Sequence, residues 1–370
     1  MASYDVPNDI VENILLRLTA KHLRGLKAVC KSWNTMISDP VFIQTHLHRS
    51  KYSHLFQSKL SLNYYGEGAC SSSSSARSRD KYRLFELQGE KKFLIVEELV
   101  SPYSGWKAVL CSCNGVLLLT DSLSRLYVLW NPSIRAETEI WFPYDFYDRH
   151  MSYGLCHDPT FDDFKVVFIC LDYYAVFSCK NNSWSMKNRF SYTGRVKNYS
   201  RGIFVDGAIY WVWRRETRVE EIVYFDPSDD KLRVLERPKY VEERGKPIYL
   251  ADLGGRLCVY CNGRDKSVVR IWTKELKGSD GGSWKEVMTV ENVRAPVRWL
   301  RPLCFLGDKI VIRLNVLKIV VYCPREKTFE EVGVEGFRLS SFELVPYMDS
   351  LLFPTRTNKQ TRKRKYIEST

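Results

Sequence analysis

No apolar run in these 370 residues approaches the roughly 20 needed to cross a bilayer as a helix. The N-terminus also lacks the apolar core of a secretory signal. Both absences point to a reducing cytoplasmic or nuclear home, where the sequons at Asn181 and Asn198 stay idle. Histidine is scarce, at six residues. The pairs Cys111/Cys113 and Cys258/Cys261 therefore have no matching second pair of ligands, and no metal or cofactor is expected. The sequence holds no Gly-x-Ser-x-Gly, no P-loop and no His-Glu-x-x-His. These absences argue against a catalytic chain.

What is present is aromatic and basic. There are 22 Tyr, 18 Phe and 10 Trp, a composition suited to half-buried pleated surfaces. The 11 cysteines are an odd number scattered through apolar runs, where free cysteine packs as a small hydrophobe. Lys and Arg outnumber Asp and Glu by 56 to 43, a net charge of +13. Such a charge invites comparison with a nucleic-acid-binding module. The basic residues are dispersed, however, except in Lys359 to Lys365, and no RNA-recognition signature appears. That cluster reads as a solvated tail or a nuclear address.

The first fifty residues carry helical periodicity. Ile10, Val11, Ile14, Leu15 and Leu18 share one spacing, with Pro7 and Asn8 suited to a helix start. A second run holds Leu23, Leu26, Val29, Cys30, Trp33, Met36 and Ile37 at i, i+3, i+4 and i+7. Gly25 weakens it by about 1 kcal/mol relative to Ala and marks a joint between two helices. Asp39-Pro40 stops one helix and caps the next, since Asp suits an N-cap and Pro the first helical position. Three or four short helices in so few residues struggle to bury their own apolar surface and call for a partner or the rest of the chain.

Beyond residue 50 the helical period vanishes. Short apolar runs such as "GVLLLT", "FKVVFICL", "GAIYWVW" and "KIVVYCP" alternate with turn residues, which indicates an all-β sandwich, barrel or propeller. A repeat separates these options. Pro132 and Pro227 lie 95 residues apart and Pro227 and Pro324 lie 97 apart, with a further unit midway in each interval. The period is thus about 48, near the roughly 50 of kelch blades, and favours a propeller. Five blades are visible. Strands within "SHLFQSKLSLNYY" (Ser53 to Tyr65) and "KYRLFELQG" (Lys81 to Gly89) at one end, and Ser340 to Pro354 with one or two strands at the other, would join as a sixth blade and remove the open edges.

Two sets of motifs sharpen this reading. The N-terminal segment has Val6-Pro7, Asp9-Ile10, Ile14-Leu15, Arg17-Leu18-Thr19 and Lys21-His22-Leu23. It continues with Val29-Cys30-Lys31, Trp33, Pro40-x-Phe42 and His46-Leu47. In this order it resembles an F-box, with Thr19 in place of the usual Pro and Gly25 where a large residue is common. Downstream stand Cys113-Asn114-Gly115-Val116, Trp130-Asn131-Pro132-Ser133 and Gly154 to Asp158-Pro159. Asp162-Asp163-Phe164-Lys165-Val166-Val167, Asn182-Ser183-Trp184 and Gly202 to Trp211 follow. These resemble the plant F-box-associated domain, kelch-like in period, of the defence-regulator and self-incompatibility types. The expected fold is an F-box (1–48), an all-β propeller of about six blades (49–354, with a low-complexity loop at 66–81) and a basic, disordered tail (355–370).

The resemblance implies a non-catalytic substrate-receptor subunit of an SCF-type E3 ubiquitin ligase. The F-box would dock on a Skp-like adaptor, and through it on a cullin and a RING subunit, while the propeller holds an unknown protein substrate. Membrane and nucleic-acid partners are not expected. A binding protein that never joins a ligase is the alternative. Residues expected at the adaptor are Pro7, Ile10, Ile14, Leu15, Leu18, Leu23, Val29, Trp33 and Ile37, without separation of module core from interface. Aromatic-plus-charge loops are the expected substrate contacts: Tyr144, Phe146, Tyr147, Arg149, Tyr173, Tyr174, Trp213, Arg214, Arg215, Trp299 and Arg301.

Overall fold

The computed structural model describes residues 6–50, 54–59, 81–88, 92–100, 108–120, 125–144, 151–170, 173–188, 194–196, 201–215, 220–238, 247–262, 268–274, 283–293, 297, 300–315, 318–334 and 342–354. Most of the low-complexity loop and the whole basic tail lie outside them.

Four helices come first: α1 (Asn8–Leu15), α2 (Ala20–Leu26), α3 (Lys31–Ser38) and α4 (Pro40–Arg49). Capping residues set their limits. The Thr19 hydroxyl accepts the His22 amide at 3.4 Å at the start of α2. One Asp39 carboxylate oxygen accepts the Val41 and Phe42 amides at 2.8 and 3.2 Å, with Pro40 opening α4. Gly25 is not the joint expected of it. It lies in the last turn of α2, and the break follows it, between Leu26 and Lys31. Leu15, Leu16, Ala20, Leu23, Ile37 and Phe42 form the buried centre of this module, and Leu351 from the far end of the chain packs into it.

The described residues beyond 50 form six sheets, antiparallel except for one short parallel pairing in the first. The first combines β1 (His54–Lys59), β2 (Lys81–Gln88) and β3 (Lys92–Val100) with two late strands described below. The second holds β4 (Ala108–Cys113), β5 (Val116–Thr120), β6 (Leu126–Asn131) and β7 (Ala136–Trp141). The third holds β8 (Ser152–Asp158), β9 (Asp163–Ile169), β10 (Tyr173–Ser178) and β11 (Ser183–Asn188). In the fourth, β12 (Gly194–Val196) and β13 (Ile203–Val205) share one side of β14 (Ala208–Arg215), followed by β15 (Glu220–Asp226) and β16 (Lys231–Leu235). The fifth holds β17 (Ile248–Asp252), β18 (Leu257–Asn262), β19 (Val269–Lys274) and β20 (Trp284–Val290). The sixth holds β21 (Leu300–Leu306), β22 (Lys309–Leu314), β23 (Lys318–Cys323) and β24 (Thr328–Glu331). The chain ends with β25 (Gly333–Val334), parallel to β3, and β26 (Phe342–Tyr347), antiparallel to β1.

Six sheets arranged as an open arc would share five seams. The structure has six seams, each filled by its own buried cluster. The closing pair is clear: Phe85 and Leu344 of the first sheet meet Val311 and Val321 of the sixth, while Tyr82 and Tyr347 of the first meet Leu117 and Trp130 of the second. The ring is therefore closed, as the sequence period led us to expect, and β26 beside β1 is the closure. A strand inside such a ring buries both faces, so its sequence reads as a continuous apolar run. β5 is an example: Leu117 and Leu119 face the first sheet, and Val116 and Leu118 the third. Among the described residues of the segment Ser340 to Pro354, β26 is the one strand. In the stretch after it, Met348 and Leu352 pack into a ring seam while Leu351 packs against the helices.

Strand order runs outward from the centre, and sheets approach one another through β4, β8, β13, β17, β21 and β26. These inner strands all enter from one end of the ring and leave at the other. Tight turns crowd the exit end. Asn131, Asp158 and Asp226 each precede a proline there, and each side chain accepts the amide two residues on at 3.0 Å. The longer connections gather at the entry end.

Candidate functional site

Helix α1 divides its apolar residues between two faces. Leu15 is buried in the module, and Val11 packs half-buried against it. Ile10 and Ile14, one turn apart and so on one face, are 47% and 56% exposed. Val6 before the helix, Val29 in the turn after α2 and Val41 at the start of α4 are exposed as well. Among the described residues, 11 large apolar side chains stand exposed, and five of them fall between Val6 and Val41.

The structure thus sorts the residues expected at the adaptor. Pro7, Ile10, Ile14 and Val29 face solvent. Leu15, Leu23 and Ile37 are core. Leu18 and Trp33 are half-buried against that core, each with part of its surface left outside.

The module sits on the exit end of the ring through a polar clamp. Asn131, fully buried, donates through its side-chain amide to the carbonyls of Ser350 and Leu352 at 2.9 and 2.8 Å. Its oxygen accepts the Ser133 amide at 3.0 Å. The Ser133 hydroxyl donates to the Asp349 carboxylate, whose other oxygen accepts the Ala20 amide of α2 at 2.6 Å. Arg24 of α2 donates to the Ile134 carbonyl at 3.3 Å. On the module side, His46 donates from Nε2 to the Leu18 carbonyl at 2.9 Å, tying α4 to the end of α1. Leu47 of α4 joins the apolar seam between the second and third sheets.

Gly115 belongs to this seat. Its φ is +81°, and a Cβ there would stand 2.6 Å from the Met348 carbonyl and from Ser350. The Cys-Asn-Gly motif thus reflects a close approach that only glycine allows. Reading the sequence alone did not single out Asn131, Ser133 and Asp349 as a unit. The Trp-Asn-Pro-Ser motif was its one visible signal.

The described residues expected at substrate gather at the entry end, opposite the helices. Tyr144 follows β7, Tyr173 opens β10, Arg214 and Arg215 close β14, and Arg301 lies near the start of β21. Tyr144 is half-buried, edge-on to Phe142 at 5.3 Å, and Tyr173 packs half-buried on the same seam. Arg214 is exposed, 3.8 Å from Glu220. Two of the expected contacts are corrected. Trp213 is fully buried between the third and fourth sheets. Tyr174 lies in the same seam and donates its hydroxyl to the Asp230 carbonyl at 2.8 Å. Both brace the wall and offer no surface to a partner. Phe146, Tyr147, Arg149 and Trp299 lie outside the described residues, as does the side chain of Arg215.

The cysteine pair at 258 and 261 is separated by strand geometry. An odd spacing on β18 sends Cys258 to the seam with the sixth sheet and Cys261 to the seam with the fourth. They cannot chelate one ion together.

The F-box-associated beta propeller domain family matches residues 87–352, and the F-box domain family matches residues 4–45. The F-box protein CPR1 of Arabidopsis thaliana is 29% identical over 382 aligned positions, covering 92% of this chain and 87% of that protein. An F-box/kelch-repeat protein of the same plant is 25% identical, covering 84% and 85%. Among solved structures, the Cps50 (Swd1) beta-propeller domain of Myceliophteria thermophila aligns over 71% of this chain and 82% of its own, at 10% identity and a TM-score of 0.39. The architecture rests on the six sheets and six seams themselves. With both domains matched in order, the chain belongs to the F-box proteins that carry an F-box-associated β-propeller.

Proposed function

We propose that this protein is the substrate-receptor subunit of an SCF-type ubiquitin ligase. The F-box docks on a Skp-like adaptor, and the adaptor brings a cullin and a RING subunit. The propeller holds the protein to be modified. Ubiquitin transfer occurs on the other subunits, and this chain contributes binding and placement. It raises the effective concentration of a substrate lysine beside the charged ubiquitin carrier.

The observation that carries this reading is the exposed apolar face of α1, on a module clamped to the ring at the end opposite the long connections. The clamp couples the module to the ring, so a substrate at the entry end would keep a set distance from the adaptor. The test is co-purification of the full chain with a Skp-like adaptor and cullin. The Ile10→Asp, Ile14→Asp double variant removes surface residues only, so its melting temperature should match wild type while the adaptor is lost. Adaptor recovered at wild-type yield would overturn the assignment of this face.

A further inference from the structure

The centre of the ring holds a cavity of about 90 Å³, lined by inner strands of five of the six sheets, enough for several water molecules. Its charged lining is ordered along the ring axis. Arg201, just before β13, and Arg301, second in β21, lie toward the entry end. The lining carboxylate, Asp252, is the last residue of β17, toward the exit end, where it accepts the Gly255 amide of its own turn at 2.9 Å. Between them the wall is largely apolar, with Leu110, Phe204, Pro302 and Met348.

Arg313 stands behind this wall. It lies directly across the ladder from Arg301 and is 2% exposed. Arg201 acts on the channel wall opposite: its charge opposes the burial that pushes the Cys111 thiol up to about 12. A narrow channel with apolar walls concentrates the field of such charges, and guanidinium groups match planar or tetrahedral oxyanions through paired N–H donors.

We infer that the central channel is an oxyanion site, in which Arg201 and Arg301 grip a carboxylate or phosphate group entering from the loop end. Two sources would supply it. One is an acidic or phosphorylated side chain on a protein held by the propeller, a source that rests on the receptor reading above. The other is a small free anion, which does not.

The experiment is calorimetric titration of the full-length protein with two probes, a hexaglutamate peptide and inorganic phosphate, at low and high salt. The variants are Arg201→Gln, Arg301→Gln and Arg301→Lys, with Arg233→Gln as a control at the exit end, where Arg233 pairs with Asp226 and Asp229. Wild type and the control should bind at least one probe at one site, more weakly as salt rises. Each Gln variant should lose about tenfold in affinity or more. Should a Gln variant melt early, Arg301→Lys keeps the charge without the paired donors and should still bind more weakly than wild type. A phosphoserine hexapeptide is titrated alongside: preference for either peptide over inorganic phosphate would identify a protein source, and preference for inorganic phosphate over both a free anion. No binding of any probe by wild type, or undiminished binding by the Arg variants, overturns the site. Adaptor co-purification is read separately, so either idea can fail without the other.

Discussion

At the scale of single residues, a charged group inside this fold can fasten one sheet to the next. Lys165 of β9 reaches from the third sheet to the fourth. Its ammonium donates to the Pro227 carbonyl at 2.6 Å and to Asp230 at 2.9 Å, with the buried Asp158 at 3.6 Å. Burial opposes its charge, yet the bond to Asp230 and the fields of Asp230, Asp158 and Asp163 outweigh burial and raise its pKa above the ordinary lysine value. A raised lysine contributes stability that is complete below its unfolded value of about 10.4 and is lost as pH climbs through the folded value. Thermal melts from pH 9 to 12 should therefore show wild type losing stability at the alkaline end more steeply than Lys165→Met. Parallel curves for the two proteins would show that Lys165 is no such fastener.

At the scale of elements, much was legible before any coordinates. Asp39-Pro40 and Thr19 announce their helices because a cap acts over two or three residues. Three blades announce themselves by an asparagine or aspartate turn before proline, at Asn131, Asp158 and Asp226, and Cys323-Pro324 holds the matching place in the sixth sheet. Gly25 misled, because a glycine inside a periodic run can mark either a joint or a tolerated weak point. The structure decides: Gly25 is in the last turn of α2 with no atom within 4 Å of where a Cβ would stand. Gly25→Ala should therefore stabilise the module by up to about 1 kcal/mol, read as a rise in melting temperature. A fall would mean that the site is more crowded than it looks. Seam partners were not legible in the same way. Trp213 resembles a binding residue in its charged context "WRRE", and only the adjacent sheet reveals that it is enclosed.

At the scale of the whole molecule, the clamp is the least legible feature. Asn131 meets Ser350 across 219 positions of sequence, and no local pattern announces such a contact. Asp349 is its hub, bonded on one side to Ser133 and on the other to the first residue of α2. Asp349→Ala should cost about 1–3 kcal/mol, as expected for charge-assisted hydrogen bonds. The Ala20 amide should exchange its hydrogen faster while the amides of β5 and β14 remain protected. Unchanged exchange at Ala20 would show that the module is held by its apolar contacts alone.

The closure has a consequence in time. Ribosomes deliver this chain from the helices onward, so α1 to α4 emerge before any sheet exists. The strand that shuts the ring, β26, and the clamp residue Asp349 both lie within the last thirty residues of the 370-residue chain. Until that stretch leaves the ribosome, the early helices lack Leu351 and the Asp349 bond, and the first sheet lacks its inner strand. A chain cut short by a few dozen residues would carry every F-box motif and still have neither a closed ring nor a seat for the module. Emergence of β26 and Asp349 thus doubles as the assembly signal.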